Sequence, residues 1–154
     1  CLGFRISDFG FTGYISGSFI AIHKKVIEEI GNFYEPYFMY YEDADYCVRA
    51  QKAGFSITRV KFPGISHHDA QSLGQNSFLH EYYLARNHLL FVERYAPLYI
   101  KLRELLRLSL TLYRHYQNKN TGGLAGIRDY LLRRFGICRA SFFSFRFSWT
   151  SKKI

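Results

Sequence analysis

Three carboxylates crowd into a stretch of four positions, where Glu42, Asp43 and Asp45 follow an aromatic run and precede a predicted helix. Neighbouring carboxylates repel one another, which raises the proton affinity of at least one of them. The unpaired N–H groups at a helix start lower it again. This combination suits a side chain whose task is to take a proton. Asp43 is therefore a candidate general base, with Glu42 tuning it or bonding to a substrate.

The same acids also have a structural interpretation. Asp43 can cap the helix, and Asp45 can pair with Arg49 one turn further on. A metal-binding Asp-x-Asp is rejected, because side chains at i and i+2 of a helix point about 200° apart. The residues alone leave the catalytic and the structural interpretations open.

Two further groups could touch a ligand. His67 lies in a polar loop, where an imidazole is either solvated or a metal ligand. Gly17 stands between two serines, where it marks either a bulge or a place at which a ligand approaches the backbone. The sequence contains no phosphate-binding glycine motif, zinc motif or nucleophile elbow.

The elements around the acids follow from hydrophobic spacing and from glycine. Residues 13–22 and 55–60 alternate as strands do, whereas residues 23–30 and 43–53 predict helices that end at Gly31 and Gly54. An aromatic loop, residues 32–41, joins the two helices and leads directly into the acids.

The second half of the chain has a helical pattern. Helices are predicted from residue 78 to a break at Pro97, over residues 98–116, and over residues 125–134. On the middle helix Arg103, Arg107 and Arg114 fall within roughly 40° of one another, and leucines cover much of the remaining circumference. The tail, residues 137–154, has no predicted structure.

Charge and cysteine content limit the possible partners. Residues 1–77 carry 7 Lys+Arg against 8 Asp+Glu, and residues 78–154 carry 14 against 4, so the cationic half predicts an anionic partner. The 3 cysteines lack metal-site spacing and favour a reducing compartment. The longest uncharged apolar run of the second half, residues 108–113, is too short to span a bilayer. The chain begins with Cys1 inside a strand-like pattern, so we expect a fragment whose N-terminal portion is missing.

Several segments together resemble the C-terminal half of family 2 glycosyltransferases, especially the bacterial rhamnosyltransferases and galactofuranosyltransferases. The most specific is the acidic segment with a histidine 24 residues after Asp43. In order, the segments are SGSFIAI at 16–22, IGNF at 30–33, YYEDADYCVR at 40–49, AGF at 53–55, ISH at 65–67, YYLARNH at 82–88 and GIRDYL at 126–131.

The resemblance implies an α/β architecture, the C-terminal part of a GT-A fold, followed by an α-helical basic extension. Residues 1–77 would form the part that binds the acceptor and supplies the base, and residues 78–136 the amphipathic basic helices. The nucleotide-binding half would precede this chain, so the chain alone should transfer no sugar.

The resemblance also implies an inverting transfer from a dTDP- or UDP-linked sugar, such as rhamnose, to a lipid-linked glycan acceptor in surface polysaccharide synthesis. Asp43 would be the base, supported by Glu42. His67 would help to bind a divalent cation, Mg²⁺ or Mn²⁺, which neutralises the leaving diphosphate. The acceptor-binding residues would be Gly17, Phe38, Tyr41, Asp45 and Arg49.

The expected location is the cytoplasmic face of the cell membrane, where the cationic helices would hold the enzyme peripherally on anionic lipid and no nucleic acid would bind. The alternative is a non-enzymatic basic module that binds membrane or nucleic acid through residues 78–154, which leaves the acidic segment unexplained. A metal-dependent hydrolase that uses Asp43, Asp45 and His67 is weaker, because it lacks further ligands.

Overall fold

The computed structural model describes residue 13 and residues 15–17, 19–58 and 77–139. These residues form five α-helices and one short 3₁₀ turn. The elements are α1 (Lys24–Ile30), the 3₁₀ turn (Glu35–Tyr37), α2 (Glu42–Lys52), α3 (Phe78–Tyr95), α4 (Leu98–Gln117) and α5 (Thr121–Leu131).

Local signals set the ends of the first two α-helices. The His23 side chain accepts a hydrogen bond from Lys25 N (3.2 Å) at the start of α1, and Gly31 ends that helix at a φ of 74°. Helix α2 has its acids in the first turn and basic residues in the last turn, which suits the helix dipole. The helices predicted over 23–30 and 43–53 are thus confirmed to within a residue or so.

Helices α3 and α5 pack backbone against backbone. A Cβ atom added to Gly126 would lie 2.3 Å from the carbonyl oxygen of Tyr82, and one added to Gly122 would lie 2.3 Å from that of Phe78. These two glycines are one helical turn apart, so they share a face of α5. Glycine is therefore required where the helices touch, and this contact holds α5 on α3.

The predicted α/β fold is wrong for the part of the chain that the structure describes, which is helical and contains no strand. A strand needs a neighbour for its backbone groups. The described part of residues 13–22 bonds instead to side chains of α2: Gln51 Nε2 donates to Gly13 O (2.8 Å), and Gly17 N donates to Asp43 Oδ2 (2.8 Å). These contacts take the place of a strand ladder.

The second predicted strand, residues 55–60, fails in the same way over its described part. The Phe55 N–H bonds back to Ala50 O (2.9 Å) at the end of α2, and residues 55–58 are neither helix nor strand. Residues 59 and 60 lie outside the described part. Alternation of apolar and polar residues is necessary for a half-buried strand, but it does not supply a pairing partner.

The helices predicted in the second half are confirmed, with Pro97 separating α3 from α4 as expected and α5 beginning earlier than predicted. No described helix is both long and apolar enough to cross a membrane. The division of the chain at residues 77 and 136, and the tail of residues 137–154, stay predictions; only residues 137–139 of the tail are described.

Candidate active site at the start of helix α2

The segment that enters α2 has an unusual backbone. Phe38, Tyr40 and Tyr41 have φ angles of 62°, 63° and 73°, in the left-handed region that side chains other than glycine rarely adopt. Each such residue costs of order 1 kcal/mol or more, so the surroundings must hold the conformation in place. The constraint comes from α3.

Two neighbouring side chains of α3 bind the carbonyl groups of this segment. The Asn87 amide nitrogen lies 2.9, 2.7 and 2.9 Å from the carbonyl oxygens of Tyr37, Met39 and Tyr40. The Arg86 guanidinium donates to the carbonyl oxygens of Pro36 and Tyr37 at 3.0 and 2.8 Å. Both side chains are fully buried. Helix α3 therefore fixes the direction in which α2 begins.

Asp43 is buried at that start and its carboxylate is held by two backbone donors. Gly17 N donates to Oδ2 (2.8 Å), and Ala44 N donates to Oδ1 (2.7 Å). A Cβ atom on residue 17 would lie 3.2 Å from the Asp43 Cβ, so glycine lets the backbone come this close. The structure thus brings together Gly17 and Asp43, which lie 26 residues apart in sequence.

Glu42 provides a second carboxyl group beside the first. It is half-buried, and its Oε2 atom is shielded from solvent without a hydrogen-bond partner. Burial raises the pKa of Glu42, and the neighbouring Asp43 carboxylate raises it further. One of the three acids therefore has a raised proton affinity, but burial contributes more to it than the crowding of carboxylates on which the prediction relied.

Asp45 is fully buried and binds three partners. Its Oδ2 atom accepts from Arg49 Nε (2.8 Å), and its Oδ1 atom accepts from Arg94 Nε (3.1 Å) and from the Tyr95 hydroxyl (2.5 Å). Burial and this bond raise the pKa of Tyr95 to about 12. Asp45 therefore ties α2 to the end of α3.

Arg49 extends the same network toward α1. Its guanidinium nitrogens donate to Ile30 O (2.6 Å) and Asn32 O (2.8 Å), in addition to the bond with Asp45. These contacts agree with the structural interpretation of the Asp45–Arg49 pair. Their assignment to acceptor binding stays a prediction.

Phe38 and Tyr41 differ in their surroundings. The Phe38 side chain is 48% exposed, with its ring 5.5 Å from that of Tyr83. The Tyr41 hydroxyl instead lies 3.1 Å from His88 Nδ1, and burial raises the pKa of Tyr41 to about 12. Phe38 is thus open to a ligand, whereas Tyr41 faces the helices.

A cavity of about 340 Å³ adjoins Tyr41 between α3, α4 and α5. His88 links its walls, because its Nδ1 atom faces the Tyr41 hydroxyl and its Nε2 atom lies 3.3 Å from Glu104 Oε2 on α4. The remaining wall includes Leu84, Ala85, Leu89 and Leu108. Neither His88 nor Glu104 was predicted as a site residue, although Glu104 is the one acid in the Arg- and Leu-rich sequence of α4.

His67, the predicted metal ligand, lies outside the described residues. Within the described residues, no three His, Cys, Asp or Glu side chains come together in a way that could hold a metal ion. The described residues by themselves therefore do not fit a divalent cation site.

Comparison with known proteins places the chain near one kind of enzyme. No family model matches it, and no solved structure matches it. It is 34% identical over 108 residues to N-acetylglucosaminyl-diphospho-decaprenol L-rhamnosyltransferase from each of two strains of Mycobacterium tuberculosis. The match covers 67% of this chain, and the chain spans about a third (34%) of the length of those relatives. The chain is thus related in sequence to a glycosyltransferase over two thirds of its own length.

Proposed function

We propose that this chain supplies the general base and the acceptor-binding surface of an inverting glycosyltransferase of family 2. The donor is a dTDP- or UDP-linked sugar such as rhamnose, and the acceptor is a lipid-linked glycan of surface polysaccharide synthesis. Support comes from the relatives, whose names specify L-rhamnosyl transfer and a diphospho-decaprenol carrier.

One observation carries the mechanistic part of the proposal, namely the hold on Asp43. Two backbone N–H groups fix the carboxylate at the start of α2. An acceptor hydroxyl is a poor nucleophile until a base takes its proton. In the proposed step the hydroxyl oxygen bonds to the anomeric carbon, its proton passes to Asp43, and the bond to the nucleoside diphosphate breaks on the opposite face of the sugar.

The neighbouring residues support this step in different ways. Glu42 places a second carboxyl group, whose pKa is raised by burial, beside Asp43, where it can bond to the substrate. The half-exposed ring of Phe38 offers an apolar face for the acceptor sugar. Asp45 and Arg49 hold α2 in place through their internal bonds.

Dependence on Mg²⁺ or Mn²⁺ and a peripheral position at the cytoplasmic face of the membrane belong to the same proposal. A divalent cation would neutralise the charge that develops on the leaving diphosphate. Chelation tests this part separately: loss of transfer with EDTA and its return with either cation would support the cation, whereas unchanged transfer would remove it.

The experiment that tests the base uses the gene product that carries this chain, with nucleotide-sugar and polyprenyl-diphospho-N-acetylglucosamine. Asp43→Asn should lower kcat by about 10²–10⁴-fold, because general base catalysis contributes that much. The matched variant Glu42→Gln should keep a larger share of activity, since it leaves the base in place. Near-normal kcat in Asp43→Asn, with folding verified by circular dichroism, would exclude Asp43 as the base.

A further inference from the structure

Helix α4 turns several polar side chains toward the other helices and exposes most of its large apolar side chains, whereas most surface helices do the reverse. The side chains it turns toward the other helices include Glu104, Thr111 and His115, which line the cavity, and Glu104 is buried. Ile100 is the one fully buried apolar residue of this helix. A surface helix normally turns its apolar stripe to the core, so the exposure of most leucines of α4 needs an explanation.

Five of the seven leucines of α4 lie on its outer face. Eight large apolar side chains are between 47% and 80% exposed, and at 100° per residue they fall within an arc of about 140°. No charged residue shares that arc. The eight are Leu98, Tyr99, Leu102, Leu105, Leu106, Leu110, Tyr113 and Tyr116. Contiguous apolar surface of this extent marks an interaction site.

Cations border this face. Arg103, Arg107 and Arg114 lie within roughly 40° of one another along one edge of the apolar arc, and Lys101 lies along the other edge. The one acid of the helix, Glu104, is buried on the opposite side. A second copy of α4 packed on this face would bring two cationic borders together without an acid between them, which disfavours self-association. An anionic lipid surface offers negative charge to the cationic borders and an apolar interior to the side chains of the arc.

We propose that α4 lies in the plane of an anionic membrane surface, with its leucine face in the lipid and the exposed Arg107 and Arg114 among the headgroups. An in-plane helix of this kind combines a wide apolar face with Lys/Arg on its borders. Tyr99 near one end and Tyr113 and Tyr116 near the other suit the interfacial region, where aromatic residues with a polar tip concentrate. The choice of lipid over a protein partner rests on the proposed function, because the acceptor there is lipid-linked.

The test is flotation of the purified chain with vesicles of phosphatidylcholine containing about 30% phosphatidylglycerol, which supplies the negative surface. The wild-type chain should float with these vesicles and float less with pure phosphatidylcholine. Leu105→Gln/Leu106→Gln should weaken vesicle binding at least about tenfold, because it removes two apolar side chains from the lipid. Arg107→Gln/Arg114→Gln should weaken binding to the anionic vesicles and reduce its dependence on salt.

The matched control is Leu131→Gln/Leu132→Gln, which changes two leucines at the end of α5 that are also more than half exposed and should bind vesicles within about twofold of wild type. Equal flotation of the α4 leucine variant and wild type would overturn the inference, as would absence of wild-type binding. A chain that stays off vesicles but dimerises through α4, with the dimer lost in the leucine variant, would assign the face to a second copy. Vesicle binding needs no sugar transfer, so failure of the proposed transfer reaction and failure of this inference are separately visible.

Discussion

Helices α2 and α4 differ in which side chains they bury and which they expose. Helix α2 buries Asp45 and satisfies it with two arginines and a tyrosine, while Asp43 beside it is held by backbone N–H groups. Helix α4 turns its acid inward and leaves five of its seven leucines exposed. The first helix is therefore fixed from within, whereas the second presents an unpartnered face to its surroundings. The difference separates a helix whose acids are held by internal bonds from a helix whose apolar side chains face outward.

The largest expected effect comes from breaking the network of α2. Asp45→Asn removes the charge that Arg49 and Arg94 share, and breaking a buried ion pair costs about 3–5 kcal/mol. Urea unfolding of the purified chain measures this loss. The control Glu28→Gln breaks the exposed Lys24–Glu28 pair and should cost at most about 0.5 kcal/mol. Similar stabilities for the two variants would contradict the account of α2.

The second largest expected effect is a loss of stability that tests which side of α4 faces the core. Ile100 is 1% exposed and packs with Val92 and Ala96, so Ile100→Ala should lower the free energy of unfolding by about 2–4 kcal/mol. Leu106→Ala, at an 80% exposed position, should change it by less than about 0.5 kcal/mol. Thermal or urea unfolding in the absence of lipid would reverse this order if the leucines formed part of the core.

The smallest effect depends on pH and concerns Glu42. Its pKa is raised above the ordinary value of 4.5, so the folded chain disfavours the ionised form and loses stability as pH rises from below that value to above the folded pKa. Glu42→Gln should therefore be more stable than wild type at pH 7, by less than about 1 kcal/mol, and should lose that advantage near pH 4. Urea unfolding at both pH values measures the difference in the free energy of unfolding. A difference that is larger at pH 4 than at pH 7 would contradict a raised pKa of Glu42.

How far the sequence predicts this structure depends on whether a signal is local. His23, Gly31 and Pro97 act within one turn of chain, and the helix boundaries they predict are confirmed. A strand depends on a distant partner, and the segment at residues 13–17 bonds to the side chains of α2 instead, so the α/β expectation is wrong for the described part.

The faces of α4 show a second limit. Helical periodicity places the three arginines and the leucines on their arcs correctly, but it does not say which arc faces the core. The candidate site was predicted only in part, because the side chains that support it lie far from it in sequence. Asp43 stood out by type and spacing, whereas the support from Asn87 and Arg86 depends on packing that joins residues nearly 50 apart, and His67 stays a prediction.

The imidazole of His88 has a mechanical consequence. One ring spans the gap between Glu104 on α4 and Tyr41, the residue directly ahead of Glu42 and Asp43. Hydrogen bonds tolerate a change of only a few tenths of an ångström before they weaken. A shift of α4 by an ångström or more must therefore either break one of these two contacts of His88 or displace Tyr41 and the start of α2.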